Sequence, residues 1–139
     1  MTVLINDSGF GTDDWVDAFL TLEDLPVAKG AINVAVDLPS DCDPASLEGH
    51  LSDIDMIRVD FPTSADGRGF TIARRLRLMG FVGRLRAKGH VISDQYAMAR
   101  RSGFDEVEIS DALAARQPAE EWAFRAKWQD HDYQSRLRA

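Results

Sequence analysis

A chain of 139 residues, 45% hydrophobic and 28% charged, is one globular domain by length and has enough apolar material for a real core. No apolar run is long enough to cross a membrane, and residues 1–7 lack the basic start and long apolar stretch of a signal peptide, so a cytoplasmic location is expected. A net charge of −7 argues against nucleic acid as a partner, because phosphate repels the chain as a whole.

Residues 1–30 read as a leader to the main unit. Val3-Leu4-Ile5 is a short apolar run, followed by a polar turn at 6–9. Thr12 is placed to cap a helix over 13–25, with Asp13 and Asp14 in its first turn. Trp15, Ala18, Phe19 and Leu22 would form its apolar stripe, and Pro26 would end it. Gly9-Phe10-Gly11 lacks the third glycine of a dinucleotide fingerprint, with Asp14 in its place, and reads as a plain turn.

From residue 31 strand and helix alternate. The expected strands are 31–38, 55–61, 83–88 and 106–109. Between them fall a short helix at 44–51, a helix at 70–79 stopped by Gly80, and one at 93–102 ended by Gly103. Ser110 or Asp111 caps a further helix, and Pro118 opens a last one that carries Trp122 and Trp128. Such alternation with short connections predicts a single α/β domain over 1–139, with core units at 31–117 and a C-terminal helix and tail at 118–139. The expectation is an open, mostly parallel sheet of about four strands with crossover helices, either doubly wound or half-barrel-like.

The charge is unevenly spread. Arg68, Arg74, Arg75, Arg77, Arg84, Arg86, Lys88, Arg100 and Arg101 face the single acid Asp94 between 68 and 101, which gives that segment +8 and the remainder −15. A molecule polarised in this way draws anions to one side.

Ligands of parallel sheets bind beyond the carboxyl ends of the strands, which directs attention to 62–69, 89–94 and 110–111. In Asp66-Gly67-Arg68-Gly69 the glycines permit positive φ and a close approach of backbone N–H groups, and Arg68 offers a planar fork for an oxyanion. The same four residues also read as a glycine turn with Asp66 as cap and Arg68 in water. Arg86, Asp94, Gln95 and His90 complete the candidate ligand set. Arg86 lies on a central strand and needs a carboxylate, for which Asp60 and Asp94 are the expected sources. Arg74, Arg77 and Arg101, with Trp122 and Trp128, are candidate partner contacts; for the tryptophans, core packing is the competing reading.

The lone Cys42, flanked by Asp41 and Asp43, forms no internal disulfide and is a poor thiolate. No His, Cys or acid spacing suggests a metal, and no nucleophile–base set can be assembled. There is no glycine fingerprint for NAD or FAD and no cluster-binding cysteine set, so no cofactor is evident.

One further pattern runs through the middle of the chain. It comprises Phe61-Pro62, Asp66 to Gly69, Ala73 with Leu76-Arg77, and Gly80 with Gly83 and Arg86-Ala87. It continues through Gly89 and Val91, Asp94-Gln95, and Arg101 with Gly103-Phe104-Asp105. In order and spacing this resembles the bacterial family called domain of unknown function 934, often labelled a probable oxidoreductase of sulfite reduction. Ser64 stands where that family usually has an aromatic, and Ser102 where it often has a cysteine. The resemblance implies a place in sulfur assimilation beside the siroheme sulfite reductase, and leaves open whether the chain is itself an enzyme. The leading expectation is an accessory protein that meets that reductase through its arginine-rich loop face. The alternatives are a small enzyme or sensor that takes an oxyanion or phosphate ligand at Asp66–Gly69, and a non-catalytic assembly scaffold.

Overall fold

The computed structural model describes residues 2–15, 17–27 and 30–125. Its strands are β1 (Thr2–Asn6), β2 (Gly9–Gly11), β3 (Phe19–Leu20), β4 (Ala35–Leu38), β5 (Met56–Phe61), β6 (Arg84–Gly89) and β7 (Glu106–Ser110). The α-helices are α1 (Arg68–Leu78), α2 (Tyr96–Ser102), α3 (Asp111–Arg116) and α4 (Ala119–Arg125).

Alternation along the strands decides the architecture. Ile57, Val59 and Phe61 of β5 turn to one face, as do Leu85 and Ala87 of β6 and Val107 and Ile109 of β7; all are buried. Against them pack Ile72, Ala73 and Leu76 of α1, Tyr96 and Ala99 of α2, Leu113 of α3 and Trp122 of α4, in one continuous core. The opposite face carries Arg58, Asp60, Arg84, Arg86, Lys88, Glu106 and Glu108, and among the described residues the helices α1 to α4 pack on the other side.

The strand order is β2-β1-β7-β6-β5-β4-β3, and β3 to β7 run parallel in sequential order. Right-handed crossovers between sequential neighbours place every helix on the same side. The sequential order of β3 to β7 lacks the reversal of strand order that marks a doubly wound sheet. The expected count of about four strands was too low: β4 to β7 are the four anticipated, and β1, β2 and β3 extend both edges.

These additions come from the leader, where the sequence reading departs furthest from the structure. Gly9-Phe10-Gly11 is not a plain turn but a strand, closing a hairpin with β1 in the register Asn6↔Gly9 and Leu4↔Gly11. The helix expected over 13–25 does not form. Phe19 and Leu20 pair with Ala35 and Val36 as an edge strand, and a 3₁₀ turn follows at Leu22–Asp24. A stripe of four apolar residues is a weak helical signal, and tertiary partners for Asp13, Asp14 and Phe19 outweigh it. Smaller differences have local causes. β4 starts at Ala35 because Asn33 takes φ 53°, which interrupts an extended run. The helix expected at 44–51 is two 3₁₀ turns, Pro44–Leu47 and Leu51–Asp53, separated by Gly49 at φ +86°.

Candidate functional site

Arg68 starts α1 and is held by its own loop. Its backbone N–H and its Nε donate to Asp66 Oδ1 at 3.1 and 3.0 Å. Its Nη2 donates to Asp66 Oδ2 at 2.7 Å and to Ser40 Oγ at 3.0 Å. Bonded in this way to the guanidinium, the Asp66 carboxyl is pushed down to about 2. The glycines play another part than the expected one, since neither Gly67 nor Gly69 takes positive φ. Gly69 is required because a Cβ there would overlap the Phe61 ring, where β5 passes under α1. Arg68 nevertheless stays accessible, with its side chain 58% exposed. It lines a cavity of about 330 Å³ with Ser40, Thr71 and Arg75.

The remaining candidates do not converge on that loop. Gln95 braces it: its Nε2 donates to the Ser64 carbonyl at 2.7 Å, and its Oε1 accepts the Ile92 N–H at 3.1 Å. Asp94 and His90 are exposed at the same edge, and the His90 backbone N–H donates to the Phe61 carbonyl at 2.9 Å. Arg74 and Arg101 point outward from α1 and α2. Arg77 does not join them. It turns inward and donates to the carbonyls of Phe81, Gly83 and Gly103 and to Asp105, which clamps the two loops below α1 and α2. Trp122 is buried, stacks edge-on against Tyr96 and donates its Nε1–H to the Gln117 carbonyl, so it is a core residue. Trp128 lies outside the described residues.

Arg86 is the largest departure. Its partners are neither Asp60 nor Asp94. It sits in mid-sheet with a fully buried side chain, donating to Glu106 at 2.9 Å, Glu108 at 2.7 Å and both oxygens of Asp13 at 3.1 Å. It is the centre of a cross-strand row in which Asp37, Arg58, Arg86 and Glu106 are register neighbours across β4, β5, β6 and β7. Arg58 forks onto Asp37 at 2.5 and 2.8 Å, reaches Glu108 at 3.1 Å and lies 3.6 Å over the Phe19 ring. Arg84 pairs with Glu106 and, at 2.6 Å, with Asp14. Asp13, Asp14 and Phe19 thus strap the leader across the charged face. Burial works to raise the Asp13 carboxyl, but hydrogen bonds from Arg86 and the Trp15 N–H outweigh it and hold it low; the Arg84 hydrogen bond lowers Asp14.

Beside this row, toward the carboxyl ends of β4, β5 and β6, the charged face opens into a cavity of about 420 Å³. Leu22 and Pro39 give it apolar walls; Glu23, Asp60 and Lys88 supply charge. Asp60 and Lys88 are register partners, yet neither takes an ion pair among the described residues. No group of three or more His, Cys, Asp or Glu able to hold a metal occurs among the described residues. No described helix is long and apolar enough to cross a membrane.

The sequence reading missed Asp13, Asp14, Arg58, Arg84, Glu106 and Glu108. A signal was present: basic residues at every second position of 84–88 and acids at 106 and 108 are period-2 patterns of opposite sign, which is what adjacent strands need to pair across one face.

Among sequence families, the one described as a bacterial protein of unknown function (DUF934) matches residues 35–139, about three quarters of the chain. No curated protein and no solved structure matches it.

Proposed function

The chain belongs to the DUF934 family, and from that premise we propose that it is an accessory protein of assimilatory sulfite reduction, docking on the siroheme reductase through the outer surface of its α1–α2 layer. The sulfur context comes from the resemblance set out under Sequence analysis. The observation that carries the docking reading is the make-up of that surface. Leu78 is 82% exposed, Val82 just beyond α1 is 95% exposed and Met98 of α2 is 53% exposed. Arg74 and Arg101 rise from the same two helices. An apolar patch edged by arginines suits a partner surface with complementary acids, with charge setting the encounter and apolar area the lifetime.

The test is co-purification from the native host. Tagged wild-type protein brings down the reductase, Arg74→Glu with Arg101→Glu does not, and deletion slows growth on sulfate. A tagged protein that never retains the reductase, with normal growth of the deletion strain, sinks the proposal.

A second reading is favoured by the cavity lined by Arg68 and Arg75 with Ser40, Thr71 and Asp41, although Arg68 is paired with Asp66 and Arg75 with Asp43. A small oxyanion or phosphate would suit it. Sulfite, sulfate or a nucleotide then raises the melting temperature by mass action, and Arg68→Ala removes the shift. As a contact for a scaffold, Trp122 is unsuited, because it is already enclosed.

A further inference from the structure

The cavity over β4, β5 and β6 lies on the face of the sheet away from the α1–α2 layer and is claimed by neither reading above. We propose that it binds a free α-amino acid with an apolar side chain, the carboxylate on Lys88 and the ammonium on Asp60 and Glu23. Five charged side chains line it: Glu23, Asp37, Arg58, Asp60 and Lys88. Two of them are already spoken for. The Arg58 fork covers both oxygens of Asp37, and its remaining arm reaches Glu108. Among the described residues, what is left to meet a ligand is one cation, Lys88, and two anions, Asp60 and Glu23.

That remainder is selective. A simple anion drawn to Lys88 meets the Asp60 carboxylate on the adjoining strand. A simple cation drawn to Asp60 meets the Lys88 ammonium. A molecule that carries both charges, close together and oppositely directed, satisfies both sites at once. Asp60 and Lys88 are directly paired in register, so their backbones stand about one strand spacing apart, roughly 4.8 Å. The two ends of an α-amino acid fit that interval, one toward each strand. The side chain then faces Leu22 and Pro39, an apolar surface. A volume of about 420 Å³ falls within the range of small-molecule sites, roughly 300–1,000 Å³, and takes a leucine-sized ligand. The position also agrees with the general rule for parallel strands, whose carboxyl ends form the binding edge.

The test uses the full chain and the standard L-α-amino acids, each at about 10 mM, with L-leucine as reference probe. L-Leucine raises the melting temperature, whereas 4-methylpentanoate and 3-methylbutylamine, which each lack one of its two charges, leave it in place. Titration calorimetry shows affinity weakened roughly tenfold or more in Lys88→Met and in Asp60→Asn. Asp60 is exposed and Lys88 partly exposed, and circular dichroism verifies that the variants fold. The Arg74→Glu/Arg101→Glu protein keeps wild-type leucine binding, which separates this site from the docking surface. The proposal is overturned if no amino acid shifts the melting, if the response is confined to polar amino acids, or if 4-methylpentanoate acts as strongly as leucine. Wild-type affinity in both cavity variants overturns it equally.

Discussion

On one face of the sheet, Ile57, Val59 and Phe61 are sealed under α1 and α2, where removal of apolar area from water is enough and no partner has to be exact. On the other face, Arg58, Arg84 and Arg86 are held by carboxylates from β4, from β7 and from a leader more than forty residues upstream of Arg58 and seventy of Arg86. The same five or six residues of β5, β6 and β7 serve both faces by alternation. The apolar face tolerates modest changes of shape. The charged face depends on partners being present, because a buried charge without one costs several kcal/mol.

The largest expected effect follows from that asymmetry. Arg86→Met keeps an unbranched stem but leaves Glu106 with only Arg84 and Glu108 with only Arg58, and should cost about 3 kcal/mol, the low end for a broken buried pair, in urea unfolding. Ile57→Val, equally buried on the apolar face, should cost about 0.5–1.5 kcal/mol. If the two substitutions prove equal, the charged face is not held by its ion pairs and the contrast between the faces fails.

The apolar face has one point where exact fit does matter. Gly69 lies in the first turn of α1 at an ordinary helical conformation, so alanine there would favour the helix by about 0.5–1 kcal/mol on backbone grounds. Its Cβ would nevertheless overlap the Phe61 ring, and overpacking of this kind costs about 1–3 kcal/mol. Gly69→Ala should therefore lower the melting temperature, and adding Phe61→Leu should recover part of the loss. A stabilised Gly69→Ala would show that the ring moves aside freely.

Legibility in the sequence followed the same division. The strand–helix alternation from 35 to 116 could be read because each element carries its own pattern: period 2 in 56–61 and 84–89, and Ile72, Ala73 and Leu76 at helical spacing. The leader could not, because nothing local tells Asp13 and Asp14 that their partners lie at Arg86 and Arg84. A carboxylate pair in a first helical turn and a carboxylate pair reaching across a sheet look alike in one dimension. For the same reason the Asp66–Gly69 loop drew attention from its composition, while Lys88 was one basic residue among nine and Asp60 was expected only as a partner of Arg86. Their interest comes from register, and from the pairing of Arg58 with Asp37, which leaves Asp60 and Lys88 without an ion pair among the described residues.

The strap offers the finest test of the contrast, since it joins the charged face through pairs that are only partly covered. The side chains of Asp13 and Asp14 are 30% and 66% exposed, so the two pairs together are worth about 1 kcal/mol rather than the several expected of Arg86. Asp13→Asn/Asp14→Asn should lose about that much in dilute buffer, and the difference from wild type should shrink in ~1 M salt, where the screening length falls to about 3 Å. Acid should act in the same direction. Both carboxyls are held below their ordinary value near 3.8, so across that window the unfolded chain binds more protons than the folded one. The strap's contribution is therefore complete above pH ~4 and is lost as pH falls through the lowered folded values. Wild type and variant should differ at neutral pH and converge in acid. No difference between them under any of these conditions would mean that Phe19, stacked beneath Arg58, holds the leader down by contact alone, and that even this edge of the charged face is governed by the physics of the other one.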